Sequence, residues 1–191
     1  MTPRAGIKIT RRHREIVKGV KMKNVVRAVE AAAPLERYEE LKTPYLEALT
    51  LVERLHRRLL DVIKDEFDRR GRSDINSVQA LLLFNIGDSE LTAGELRSRG
   101  YYLGSNVSYN LKKLVEMGYL HHARSRVDRR SVRISLTDKG KEVHKIIAEL
   151  YQKHVRTIEQ VGGIASTELQ VLNKALQRLE RFWTDQILYR L

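Results

Sequence analysis

The stretch from Gly104 to Gly140 constrains this chain's fold more than any other. Within it Val107, Leu111, Leu114 and Val115 recur at three- and four-residue spacing, the period of one buried helical stripe. Asn106, Tyr109, Asn110 and Lys113 fall on the opposite face, with Ser108 and Lys112 along its edges. The pattern predicts a helix capped by Ser105 or Asn106, running to Met117 and stopped by Gly118. Residues 120–125 and 131–136 read as strands, the second alternating Val132, Ile134 and Leu136 against Arg133 and Ser135. A polar hairpin joins them, and Thr137 is placed to cap a further helix. Helix, arginine-tipped hairpin and helix follow one another with no room for a larger sheet.

The charge of the chain concentrates on this stretch. The whole chain has 36 Lys+Arg against 24 Asp+Glu, a net of +12. Arg97 to Arg133 holds nine basic residues against Glu116 and Asp128, and Met1 to Arg27 holds nine more against Glu15. Together these two regions exceed the total, so the rest of the chain is slightly acidic. A localised positive field points to a polyanionic partner, and phosphate backbones are the commonest.

The flanks predict helices. From Pro44 to Arg70, Leu46, Leu49, Val52, Leu55, Leu59, Val62, Ile63 and Phe67 keep helical spacing, with Pro44 suited to a first turn and Gly71 to an end. A second helix is expected from Ile75 to Asn85, capped by Asp74, with Val78, Leu81, Leu82 and Ile86 toward the core. A short one is expected from Ala93 to Arg99, with Thr92 capping and Glu95 at its third position. Beyond Thr137 a helix reaches about Val161, where Gly162 and Gly163 break it. A last helix from Ser166 spaces Leu169, Leu172, Leu176, Leu179, Trp183 and Ile187 as a seam. Two such end helices carry more apolar surface than one small domain covers, which argues for an intertwined homodimer; packing on each other within one chain is the alternative.

A helix enters the major groove only if one face is polar, compact and flanked by cations. Ser105, Asn106, Ser108, Tyr109 and Asn110 supply donors and acceptors near the N-terminus of the central helix, and Lys112 and Lys113 are placed for phosphates. An ordinary solvated face would look similar without the hairpin. There Arg126, Arg129 and Arg130 crowd around Asp128, after Arg124 on the strand, in a loop too short to form a core. Arginine is favoured in narrow minor grooves. Asp128 more naturally pairs with an arginine and shapes the loop.

Asp128-Arg129-Arg130 followed by Leu136-Thr137-Asp138-Lys139-Gly140 resembles the D-x-R…L-T-x-x-G wing of MarR-family transcriptional regulators. Leu114 to Leu120 is similar to the end of that family's recognition helix. The resemblance spans about Pro44 to Leu191. It implies a mainly α fold with a small β-wing, a winged helix-turn-helix whose N- and C-terminal helices form a dimerisation region. The corresponding division is a basic arm at 1–43, a dimerisation helix at 44–73, the DNA-binding domain at 74–140 and C-terminal dimerisation helices at 141–191. It further implies double-stranded DNA as partner, palindromic operators, and a small aromatic or phenolic effector that weakens DNA binding. Family geometry alone suggests Tyr45, His56, Leu60 and Phe84 for such an effector. The turn from Gly100 to Gly104 is more aromatic and glycine-rich than the family pattern, and the basic arm is longer.

Other classes find little support. The chain has no cysteine, which removes disulfides and thiolate metal sites. Its six histidines include no H-E-x-x-H pair and no phosphate-cradling glycine loop is present, so neither an enzyme, a cofactor nor a metal site is expected. His121-His122 suits backbone contact or solvent, and His56 suits a partly buried structural role. No apolar run approaches the ~20 residues of a membrane span. The segment from Met1 to Pro34 is arginine-rich and acid-poor like a transit peptide but lacks serine. It reads instead as a basic arm or amphipathic helix, with Met22 a possible alternative start, and the protein is expected in the cytoplasm. An architectural nucleic-acid binder without ligand response is the alternative to a regulator.

Overall fold

The computed structural model describes residues 20–21, 23–24, 35–92, 95–96, 104–124 and 132–189. They divide into two compact units: the described parts of residues 1–49 with 163–191, and residues 50–162.

The first long helix, α1, is Leu35–Arg69. It begins nine residues before the proline expected to open it, so Pro44 lies inside. The run from Leu35 to Lys42 is built of Leu, Glu, Arg, Tyr and Lys, mostly strong helix formers, and they carry the helix across Pro44 although its missing amide removes one interior backbone bond. At the other end Arg70 and Gly71 close the helix, with Gly71 at φ 67° and the Arg72 amide reaching back to the Phe67 carbonyl at 2.9 Å.

Next comes α2, Ser77–Ile86. Its cap is Asn76, not the expected Asp74: the Asn76 side chain accepts from the Gln79 amide at 2.9 Å while Gln79 accepts from the Asn76 amide at 3.2 Å. This reciprocal pair satisfies two amides at once and outcompetes a lone carboxylate two residues earlier. Leu81, Leu82, Leu83 and Ile86 are all buried, so α2 is enclosed on nearly every side, beyond the one face expected.

After a short strand, β1 (Leu91–Thr92), Thr92 and Glu95 form the expected reciprocal cap, the Glu95 amide donating to the Thr92 hydroxyl at 3.1 Å and the Thr92 amide to the Glu95 carboxylate at 2.7 Å; of the helix expected from Ala93 to Arg99, all but Glu95 and Leu96 lies outside the described residues. The central helix, α3, is Gly104–Glu116. Strands β2 (Leu120–Arg124) and β3 (Val132–Leu136) follow as expected, and β1 joins them. The sheet order is β1-β3-β2, antiparallel, with Leu91 opposite Ile134 and Leu120 opposite Leu136. The chain ends in α4, Asp138–Gly162, and α5, Ser166–Tyr189.

Every buried apolar residue among those described lies between Ile63 and Leu150. Leu82, Leu83 and Ile86 of α2 share that core with Leu114, Ile134, Val143 and Ile147. In the other unit no residue of α5 is buried, and the Trp183 indole donates to the Tyr45 hydroxyl at 3.2 Å.

Candidate nucleic-acid interface

Helix α3 divides its faces as the spacing demands. Leu111 and Leu114 are buried and Val115 is half-buried, while Ser108, Tyr109, Lys112 and Lys113 are exposed. Tyr109 stands 62% exposed, a large aromatic ring turned from the core, so packing does not explain it. Asn110 is half-buried, nearer the apolar stripe than expected. The helix starts at Gly104, which puts Ser105 and Asn106 in its first turn rather than at its cap; their side chains lie outside the described residues. Lys112 reaches Glu116 one turn on at 3.9 Å, a loose exposed pair that phosphate can displace.

The end of α3 is held closely. The Tyr119 amide donates to the Leu114 carbonyl at 2.8 Å and the Gly118 amide to Val115 at 3.0 Å, with Gly118 at φ 75°. This closure needs the left-handed residue that glycine supplies without strain. From the other side the Thr137 hydroxyl donates to the Gly118 carbonyl at 2.7 Å and accepts from the Gly140 amide at 3.1 Å, while the Thr137 amide donates to Tyr119 at 3.1 Å. A β-carbon on Gly140 would lie 2.3 Å from the Tyr119 carbonyl oxygen, so the L-T-x-x-G glycine is required by backbone contact.

The base of the wing is likewise built from both sides. Ile134 and Leu136 point into the core and Arg133 and Ser135 are half-buried between them. Arg133, counted with the local positive charge, pairs with Glu90 at 3.4 Å and so braces the sheet. His121 and His122 are exposed on β2. Arg124 closes β2 with its side chain outside the described residues, and Arg126, Asp128, Arg129 and Arg130 lie outside them altogether.

The four residues suggested for an effector are divided between the two units. Tyr45 belongs to the first unit and bonds Trp183; His56, Leu60 and Phe84 belong to the second. His56 is exposed, contrary to the partly buried role expected, while Leu59 and Leu60 of the next turn are the residues that pack against the core. Leu60 and Phe84 are half-buried against the core, where Phe84 stacks on His144 with ring centroids 5.0 Å apart and meets Tyr151 edge-on at 5.0 Å. Burial pushes the Tyr151 hydroxyl above its ordinary range. Among the described residues no His, Cys, Asp and Glu cluster fit for a metal is present.

Residues 75–140 match the model of a winged helix DNA-binding domain. The chain is 34% identical over 145 residues to the exopolysaccharide II synthesis transcriptional activator ExpG of Rhizobium meliloti, covering 76% of this chain and 74% of that protein. Among solved structures it is similar to Streptococcus pneumoniae FabT in complex with DNA, at 25% identity and TM-score 0.56, over 74% of this chain and 98% of FabT. The MarR protein of Peptoclostridium difficile superposes with TM-score 0.61 at 19% identity, over 75% and 90% of the two chains. The chain belongs to the MarR family of winged-helix transcriptional regulators. It is therefore a DNA-binding regulator and not an enzyme.

Within this MarR-family chain, the residues that sequence reasoning missed are those that hold α3 rather than those that face outward. Asp74, read as a cap, accepts a hydrogen bond from the Tyr119 hydroxyl. Lys139, hidden inside L-T-x-x-G, donates to the Met117 carbonyl at 3.1 Å. Only the motif's regular spacing hinted at such a role.

Proposed function

We propose that two copies of this chain bind a palindromic operator, each α3 entering a major groove and each wing, with Arg124, Arg126, Arg129 and Arg130, reaching the adjoining minor groove. The observation that carries this reading is the face of α3: Ser108, Tyr109, Lys112 and Lys113 stand exposed while Leu111 and Leu114 anchor the opposite side. Ser105, Asn106, Ser108, Tyr109 and Asn110 then read base edges, Lys112 and Lys113 hold phosphates, and Asp128 shapes the wing. Pairing of copies is supported by the exposed apolar residues of α5, Val171, Leu172, Leu176, Phe182, Ile187 and Leu188, and by Tyr38, Leu41 and Leu46 on α1. Two α3 helices related by such a dimer meet half-sites about 34 Å apart.

An aromatic or phenolic effector fits the half-buried neighbourhood of Leu60 and Phe84 in chemical character. No helix among the described residues is long and apolar enough to cross a membrane, in keeping with action on cytoplasmic DNA.

Selection of bound fragments from genomic DNA, followed by footprinting, tests the whole reading. A short symmetric protected site is expected, with affinity falling steeply as salt rises. Tyr109→Ala is expected to change base preference, and Arg130→Ala to weaken all sequences alike. Uniform coverage of the DNA would show an architectural binder instead, and a screen of phenolic compounds for release of the bound site tests the effector.

A further inference from the structure

Tyr119 is fully buried, yet it carries a hydroxyl, and a buried hydroxyl needs partners. It finds them on the connection between α1 and α2. The hydroxyl donates to an Asp74 carboxylate oxygen and accepts from the Arg72 guanidinium at 3.3 Å. Arg72 also pairs with Asp74 at 3.6 Å and with Glu142 of α4 at 3.5 Å. Lys139 completes the cluster, its ammonium 4.1 Å from the centre of the Tyr119 ring and 3.6 Å from Asp74. The Tyr119 hydrogen bond, then the neighbouring Arg72 charge, hold the Asp74 carboxyl below its ordinary range.

A buried phenylalanine would fill the core equally well, so the polar cluster is not explained by burial. Its position suggests what it does. Tyr119 is the third residue past the end of α3, beside the backbone bonds at Gly118 and Thr137 that hold that end, so what grips Tyr119 acts at the root of the helix. Thirteen residues at about 1.5 Å each give a lever of about 20 Å, and a tilt of about 10° displaces its far end by more than about 3 Å. Base-edge hydrogen bonds tolerate far less.

We propose that Asp74 and Tyr119 are positioning residues that set the pose of α3 against the groove, so that they govern sequence discrimination without touching DNA. This rests on the reading that α3 recognises sequence. The Tyr119–Asp74 bond ties the helix to the α1–α2 connection, and Lys139 ties the same carboxylate to the start of α4. Three elements thus share one carboxylate.

The test uses the full chain and a site selected from genomic fragments by the wild type, with a scrambled duplex of equal length for comparison. Tyr119→Phe keeps every ring contact and removes only the hydroxyl. It is expected to lower the ratio of selected-site to scrambled affinity about tenfold, with scrambled affinity nearly unchanged. Asp74→Ala is expected to do the same, Asp74→Asn to restore part of the ratio by again accepting from Tyr119, and the Tyr119→Phe, Asp74→Ala double variant to be no worse than either alone. Discrimination by the wild type that survives in Tyr119→Phe, whatever happens to Tm, would overturn the clamp alone. Additive losses in the double variant would overturn it too. A wild type that does not discriminate would overturn the reading of α3 itself and the clamp with it. If Asp74→Ala does not fold, Tyr119→Phe decides.

Discussion

The two units of this molecule treat their leucines in opposite ways. Between Thr50 and Gly162, Leu82, Leu83 and Leu114 are sealed to 1% exposure or less, and among the described residues no buried side-chain nitrogen or oxygen lacks a hydrogen-bond partner. On α5, Leu172 and Leu176 keep 46% and 40% of their surface, and no residue of that helix is buried. The same side chain is spent on internal cohesion in one place and left exposed in the other. Apolar burial yields roughly 25 cal/mol per Å², so an open seam of this kind is a cost until something covers it.

The contrast can be broken most forcefully at Leu82. Leu82→Ala is expected to lower unfolding free energy by about 3 kcal/mol, read from denaturant melts at fixed protein concentration, because the cavity is enclosed on all sides. An effect below about 1 kcal/mol would mean that the core is far looser than described. Leu176→Asp sharpens the other half. It is expected to leave the helical content of the isolated chain nearly unchanged but raise the dissociation constant of the proposed dimer at least about tenfold, measured by sedimentation over a dilution series. A variant that stays paired would place the interface elsewhere.

The smallest effect concerns Asp74. Its folded pKa is depressed, so the stability it contributes is present above its unfolded value near pH 4 and is lost as pH falls through that value toward the folded one. Wild type and Asp74→Asn should therefore differ in stability at neutral pH and converge in acid, as followed by thermal melts from pH 7 down to about 3. A difference that does not vary across that range would show that the carboxylate's charge is not what Tyr119 and Arg72 stabilise.

Much of this was legible in the residues. The period of Leu111 and Leu114, the alternation in Val132–Leu136 and the Thr92–Glu95 and Thr137 caps each follow from local chemistry, and each of these local features is present, although α3 opens at Gly104, before the cap expected for it. The start of α1 was misplaced because a proline signals a first turn more often than an interior, while the strong helix formers before Pro44 decided the matter. Asp74 was misread for a different reason. As a cap it is locally sensible, and only the fold brings Tyr119, 45 positions away in sequence, to its carboxylate. Pairings of that kind leave no periodic trace, and neither does Glu90 with Arg133. The face of α3 was readable from spacing, but what aims that face was not.

The bonds at Gly118, Tyr119 and Thr137 also close a loop. They staple the two feet of the β2–β3 hairpin together beneath it, with Gly140 admitting no side chain that could wedge them apart. Everything between those feet hangs from a base that is already shut. The hairpin is in that sense a cartridge: its length and arginine content can be exchanged during evolution, or by a protein engineer, while the helix beside it keeps its seat.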